Sequence, residues 1–178
     1  FTGGVNKLYM ILAQDVLYKN PMRNCIFLDN HDMNRSLSMV GEDMKKYKMA
    51  LGLLLTQRGI PQIYYGAEIA MKNFKDPTDA EVRKDFPGGW STDSTNKFFP
   101  AGRTAVEQET FEYIRKLARF RQTSSAIGTG KLMQYIPQDG VYVYFRYDGK
   151  QTIMCILNPG DKSVTLKSSR FVERLKGA

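Results

Sequence analysis

Two short apolar runs, each preceded by an amphipathic helix, constrain the fold of this chain most. Residues 4–18 and 42–57 repeat apolar side chains at helical spacing. Residues 25–28 and 62–65 form short runs typical of strands that are covered on both faces. The order helix, strand, helix, strand, with short connections, predicts a parallel α/β fold. The predicted helix stripes are Leu8, Ile11, Leu12 and Val16, then Met44, Tyr47, Leu51, Leu54 and Leu55.

The segment 67–103 breaks this pattern. It is rich in Pro, Gly, Asp and Lys and has little periodicity. A loop of this length inside a compact domain is usually functional or disordered. Its aromatic residues argue against disorder, so we expect an ordered excursion above a sheet. These residues are Phe74, Phe86, Trp90, Phe98 and Phe99.

A third helix is predicted after this excursion. Thr104 and Glu107 have the spacing of a capping box, in which each side chain binds the backbone N–H of the other residue. The helix is expected to run to about residue 122. Its predicted inner face carries Phe111, Ile114, Leu117 and Ala118.

The last part of the chain has the two-residue period of antiparallel strands. Residues 141–147 and 151–157 are predicted strands, and Asp148-Gly149 between them is a strong hairpin signal. Residues 163–167 predict one more strand. We therefore expect a separate small domain that begins near Lys131.

Composition narrows the class of protein only slightly. The chain has 178 residues, 42% hydrophobic and 25% charged, which is ordinary for a globular protein. The net charge of +8 invites nucleic-acid binding, but the basic residues are scattered among acids and no nucleic-acid motif accompanies them. No apolar run approaches the roughly 20 residues of a membrane span. Cys25 and Cys155 lack metal-ligand spacing, so cysteine usage does not fix the compartment.

His31 is the only histidine, and it stands beside Asp32 at the end of the first predicted strand. A rigid scaffold commonly presents chemistry at such a position. An isolated His-Asp pair is also common in an ordinary surface turn. The pair alone leaves both interpretations open.

Three stretches resemble glycoside hydrolase family 13, the α-amylase family. Residues 27–32, an apolar strand ending in Asn30-His31-Asp32, are similar to its fourth conserved region. Residues 59–68 are similar to its last barrel strand. Residues 82–90 are similar to the cyclomaltodextrinase and neopullulanase branch. The resemblance covers essentially the whole chain.

The resemblance implies an α/β fold, the C-terminal part of a (β/α)8 TIM barrel with strands 7 and 8 and helices 6 to 8, followed by a small antiparallel β-sandwich domain. Residues 1–130 would complete the barrel, and residues 131–178 would form the C-terminal β domain, which we expect to be truncated. A whole barrel needs about 250 residues. We therefore expect the first six strands to lie on chain that this sequence does not contain.

The implied function is a retaining α-glucan hydrolase that acts on α-1,4-glucosidic bonds of cyclodextrins, pullulan or maltooligosaccharides. Asp32 matches the family's transition-state-stabilising carboxylate, and His31 matches its substrate-binding histidine. Arg83 resembles an arginine that contacts a sugar further along the non-reducing side. Asp76 is our candidate for the carboxylate that accompanies Arg83, and Asp79 is the competing candidate.

No residue of this chain matches the family's nucleophile or its acid/base, so we expect the chain alone to be inactive. The alternative class is a non-catalytic carbohydrate-binding or interaction module. The expected partner is an α-glucan oligosaccharide, with no nucleic acid and no membrane, and a homo-oligomer is allowed for the full-length protein. No cofactor is identifiable, calcium is left open for other parts of the full protein, and the resemblance suggests a periplasmic location.

Four further residues have two candidate roles each. We expect Asn30 to tie the strand end by side-chain hydrogen bonds. Arg35 either pairs with a carboxylate in the mouth of the barrel or braces its loop. Trp90 and Phe86 either stack on a glucose ring or pin down the long loop, and pinning is the commoner role of an aromatic in such a loop.

Overall fold

The computed structural model describes residues 4–175 and divides the chain into two compact units. Unit 1 consists of three segments: the chain up to Asn24, Thr56–Gly59, and the chain from Arg121 onward. Unit 2 takes Cys25–Leu55 and Ile60–Phe120. The last three residues of the predicted C-terminal domain lie outside the described residues.

Unit 2 is built on two parallel strands, as the sequence predicts. Strands β1 (Cys25–Phe27) and β2 (Ile60–Gln62) pair with Ile26 opposite Pro61. The short helix α2 (Ser36–Met39) and the longer helix α3 (Met44–Thr56) connect them. The second strand lies two residues earlier than predicted, so Tyr64 and Tyr65 follow it. The core of unit 2 contains Leu37, Tyr47, Leu51, Leu55 and Ile114.

The two parallel strands are not covered on both faces within the described residues, and this expectation is wrong there. Phe27 is 42% exposed and Ile60 is 55% exposed. The stripe of α3 is confirmed, because Tyr47, Leu51 and Leu55 are all buried. The strands are more exposed than the helix because a two-stranded ribbon has too few neighbouring elements to bury its side chains.

The segment between β2 and the next helix is ordered, as predicted. Three short 3-10 helices, Ala67–Ile69, Asp79–Val82 and Pro100–Gly102, interrupt it. The capping box is confirmed: Thr104 N donates to Glu107 Oε2 at 2.8 Å, and Glu107 N donates to Thr104 Oγ1 at 3.3 Å. It opens helix α4 (Ala105–Thr123). Of the predicted inner face, Ile114 is buried and Ala118 is exposed.

Unit 1 contains helices α1 (Gly4–Ala13) and α5 (Ser125–Gly128) and a three-stranded antiparallel sheet. The strands are β3 (Lys131–Gln138), β4 (Val141–Tyr147) and β5 (Thr152–Leu157), in that order. The core is Val141, Val143, Phe145 and Phe171. On α1 and the turn after it, Leu12 is buried, but Ile11 and Val16 are exposed, so the predicted stripe is only partly confirmed.

The hairpins of this sheet differ from the prediction in three respects. Strand β3 was not predicted, and it joins β4 through Asp139 and Gly140, which both have positive φ (51° and 76°). A hairpin follows β4 as predicted, but Asp148 N donates to Gln151 O at 3.0 Å, so its two central residues are Gly149 and Lys150 rather than the predicted Asp148 and Gly149. Residues 163–167 are not a strand, and that prediction is wrong. Their apolar side chains, Val164 and Leu166, still pack on the core.

Two arginines bind the end of α3 and the turn after it within unit 1. Arg146, fully buried, donates to Thr56 O at 3.1 Å and to Gly130 O at 2.9 Å. Arg121 donates to the carbonyls of Gln57 and Gly59 at 2.9 and 2.6 Å. Carbonyls at a helix C-terminus carry partial negative charge, which suits cationic partners. Burial lowers the pKa of Arg146 to about 10.

Candidate active site

The polar turn after β1 positions the candidate site. Asp29 is buried, and its Oδ2 accepts a hydrogen bond from Ser36 N at 2.6 Å at the start of α2. Asn30 Oδ1 accepts from Asp32 N at 2.9 Å. The predicted role of Asn30 is therefore confirmed, and Asp29 is a structural anchor that the sequence did not single out.

His31 and Asp32 point away from the core at the end of this strand. Their side chains are 64% and 61% exposed, and His31 Nε2 lies 3.2 Å from Asp32 Oδ2. Two polar side chains left this open to solvent contribute little to stability. They are free to exchange water for a ligand.

Arg83 binds both of them. Its Nε donates to His31 O at 2.9 Å, and its Nη2 donates to Asp32 Oδ1 at 2.9 Å and to Asp79 Oδ2 at 2.8 Å. Lys75 Nζ lies 3.0 Å from the other oxygen of Asp79. We call these five residues, His31, Asp32, Lys75, Asp79 and Arg83, the ion cluster. It brings together two segments that are about 50 residues apart in the chain.

In this structure the carboxylate that pairs with Arg83 is that of Asp79, the competing candidate, and the choice between Asp76 and Asp79 as the sugar-binding carboxylate stays a prediction. Asp79 and Arg83 are four residues apart across a 3-10 turn and can face each other. Asp76 is exposed and is not part of the ion cluster. Contact between Asp76 and a sugar stays a prediction. The pKa of Asp79 lies below its ordinary value, chiefly because Lys75 donates a hydrogen bond to it, with further help from Arg83.

Arg35 braces its loop, which decides between its two candidate roles. It is buried, and its Nη1 donates to Tyr65 O at 2.6 Å. Its guanidinium carbon lies 4.1 Å from the ring centre of Tyr64 and 4.9 Å from that of Tyr65. Stacking on two rings suits the flat, weakly hydrated guanidinium group. Arg35 therefore ties the turn after β1 to the residues that follow β2.

The two aromatic residues with open roles separate clearly. Phe86 is partly buried and packs on Phe98 with ring centres 4.5 Å apart. It pins the loop. Trp90 is 64% exposed, so its ring does not pin the loop by packing into a core.

The ion cluster combines hydrogen-bond acceptors and donors that suit hydroxyl groups. Carboxylates accept hydrogen bonds from hydroxyl groups, while His and Arg donate to them. In residues 4–175 no group of three His, Cys, Asp or Glu side chains could hold a metal ion. In the same range no helix is both long and apolar enough to cross a membrane.

Comparison with known proteins identifies the family to which the chain is similar. A sequence model of the alpha amylase catalytic domain matches residues 4–107, and a model of the cyclo-malto-dextrinase C-terminal domain matches residues 132–178. The cyclomaltodextrin glucanotransferase of Bacillus sp. (strain 1-1) is 31% identical over 157 residues, which are 88% of this chain and 20% of that protein. The cyclomaltodextrinase of Geobacillus thermopakistaniensis (strain MAS1) is 31% identical over 141 residues, 78% and 21% of the two chains.

Solved structures agree. A cyclomaltodextrin glucanotransferase with a three-domain ABC distribution superposes with a TM-score of 0.71 at 31% identity, over 90% of this chain and 30% of that one. The chain belongs to the α-amylase family, glycoside hydrolase family 13. It folds as part of the family's barrel followed by a small antiparallel β domain. It spans about a fifth of the length of the curated relatives.

Proposed function

We propose that this chain supplies the sugar-binding half of the active site of a retaining α-glucan hydrolase. The substrate class is α-1,4-linked glucan: cyclodextrins, pullulan or maltooligosaccharides. The observation that carries the proposal is the ion cluster, in which an exposed His-Asp pair at a strand end is oriented by one arginine. Membership of the α-amylase family supports it.

Asp32 is the residue to which we assign transition-state stabilisation. Cleavage by a retaining glycosidase passes through a sugar ring with oxocarbenium-like positive charge. A carboxylate held beside that ring binds the charged transition state more tightly than the neutral substrate, which lowers the barrier. Its oxygens also accept hydrogen bonds from the ring hydroxyls, so the same contact orients the sugar.

His31 and Arg83 are substrate-binding residues in this proposal. His31 donates a hydrogen bond to the sugar that Asp32 holds. Arg83 keeps the backbone of His31 and the carboxylate of Asp32 in place, and it contacts the next sugar together with Asp79. The nucleophile and the acid/base are assigned to no residue of this chain. We place the barrel portion at residues 1–130 and the β domain at residues 131–178.

The test is Asp32→Asn in the full-length protein that contains this chain. The amide keeps the size of the side chain but loses its charge, so kcat/KM for maltooligosaccharides should fall at least about 10²-fold. Asp161→Asn is the matched control, because Asp161 is an exposed carboxylate beyond β5, and it should keep the wild-type rate. An Asp32→Asn enzyme with wild-type activity would refute the assignment.

The isolated chain tests the division of the site. Purified residues 1–178 should bind glucan weakly and hydrolyse none, because the nucleophile is assigned elsewhere. Turnover of maltooligosaccharide by this chain would contradict the proposal. Glucan binding by a full-length protein with no turnover would instead favour the alternative, a non-catalytic carbohydrate-binding module.

A further inference from the structure

Trp90 is an exposed aromatic residue whose position is nevertheless fixed. Its ring is 64% exposed, although tryptophan is highly buried on average in folded proteins. Its Nε1 donates to Asp85 Oδ2 at 3.0 Å, and its backbone N donates to Asp93 Oδ2 at 3.0 Å. One hydrogen bond therefore fixes the edge of the indole and the other fixes the backbone, while most of the residue stays exposed.

The turn that carries Trp90 is built to be rigid. Asp93 Oδ2 also accepts from Gly88 N at 2.7 Å, and these N–H groups, with that of Trp90 the strongest, lower the pKa of Asp93. Gly88 has φ of +108°, and a Cβ there would lie 2.4 Å from Asn96 Oδ1 and 2.7 Å from Asn96 Cα. The ring of Phe86 also packs on that of Phe98 in the same loop. These contacts hold the loop in a conformation in which the indole ring faces solvent and not a hydrophobic core.

The bonded edge of the indole indicates what it can bind. Its only polar donor is occupied by Asp85, so a ligand meets the flat apolar faces. Sugar rings offer such faces their C–H groups while their hydroxyls stay in water, and aromatic rings with one polar edge suit contacts of this amphipathic kind. A metal, a phosphate or a peptide carboxylate would find no partner on these faces.

The residue that holds the ring follows the ion cluster closely in the chain. Asp85, which holds the indole, is only two residues after Arg83. Two residues of extended chain span at most about 7 Å. A glucan held by Arg83 therefore extends within reach of this loop.

We propose that Trp90 is a stacking subsite for a glucose unit of the α-glucan, beyond the unit that His31 and Asp32 bind. The proposal rests on the function proposed above and adds a determinant of chain-length preference. Phe86 takes no part in it, because its ring packs on Phe98. Short substrates that reach only the ion cluster do not use the subsite.

Chain-length kinetics of the full-length protein test this inference. Trp90→Ala should raise KM for maltoheptaose about tenfold, which is the size of one aromatic stacking contact. The value of kcat should stay within about twofold, and KM for maltotriose should not change. Trp90→Phe keeps a ring face and should restore most of the loss for maltoheptaose.

Tyr18→Ala is the matched control, because Tyr18 is an aromatic residue of unit 1 that is 52% exposed. It should leave both KM values unchanged. A wild-type enzyme that turns over no α-glucan would contradict the proposed function. A Trp90→Ala enzyme with the wild-type ratio of the two KM values would contradict the subsite alone.

Discussion

Arg83 links two loops through one guanidinium group. It contacts the carbonyl of His31 and the carboxylates of Asp32 and Asp79. The side chain is 44% exposed, so these ion pairs are screened by water and contribute little to stability. Their value is therefore geometric: they fix the direction of Asp32 before a sugar arrives.

The charge state of Asp79 gives a prediction at the residue scale. Its folded pKa lies below the ordinary value of 3.8, mainly because of the hydrogen bond from Lys75. Whatever Asp79 contributes to stability is thus present above about pH 4 and is lost as the pH falls through the lowered pKa. Carboxyl NMR should give a titration midpoint below 3.8, and Lys75→Met should move that midpoint upward.

Lys19→Met is the control for this titration, since Lys19 is an exposed lysine of unit 1. It should leave the midpoint of Asp79 where it is. An unchanged midpoint in Lys75→Met would show that Lys75 is not the cause of the shift.

Single elements show where sequence reasoning succeeds. The capping box at Thr104 and the apolar stripe of α3 depend on residues close together in the chain, so spacing alone predicts them. The turn after β1 was located for the same reason. The pairing of Asp79 with Arg83 follows helical spacing and could have been preferred over Asp76 on that ground.

Elements that depend on distant partners were harder to predict. Residues 163–167 alternate correctly, and Val164 and Leu166 pack on the core, but no strand within residues 4–175 pairs with them. Strand β3 is hard to predict from the sequence because Pro137, its second-last residue, weakens a strand assignment. Asp139-Gly140 was the available signal, since Asp-Gly pairs favour the tight turn that both positive φ values form.

Arg146 supplies a prediction at the scale of elements. Its buried guanidinium donates hydrogen bonds to the carbonyls of Thr56 and Gly130. Arg146→Met removes both hydrogen bonds, one of which is the buried bond to Gly130 O. The free energy of unfolding measured in urea should fall by about 3 kcal/mol.

Arg23→Met is the comparison variant, because Arg23 is an exposed arginine of the same unit. Its effect should stay within about 0.5 kcal/mol. If the two variants are equally stable, the contacts of Arg146 carry no net energy.

The whole molecule is interleaved along the chain. Unit 1 combines segments from the beginning, the middle and the end of the sequence. Gln134 of β3 donates to Tyr9 O of α1, and Arg146 of β4 binds Thr56. The predicted domain boundary after residue 130 stays a prediction, and this interleaving gives it a physical test.

Residues 131–178 alone should not fold cooperatively. They would lack α1 and residues 56–59, and a piece of about 50 residues has little core to compensate. Circular dichroism on heating should give a broad, non-cooperative change. A sharp transition would show that the β sheet is independent of the rest of unit 1.

Trp90 also determines the fluorescence of the chain. It is the only tryptophan among the 178 residues, against ten tyrosines. Excitation at the red edge of aromatic absorption therefore reaches one ring at one place in the chain. The emission colour of the 178-residue chain reports the solvent around a single loop, and added quenchers measure how open that loop is. The molecule carries its own optical probe in that loop, with no label attached.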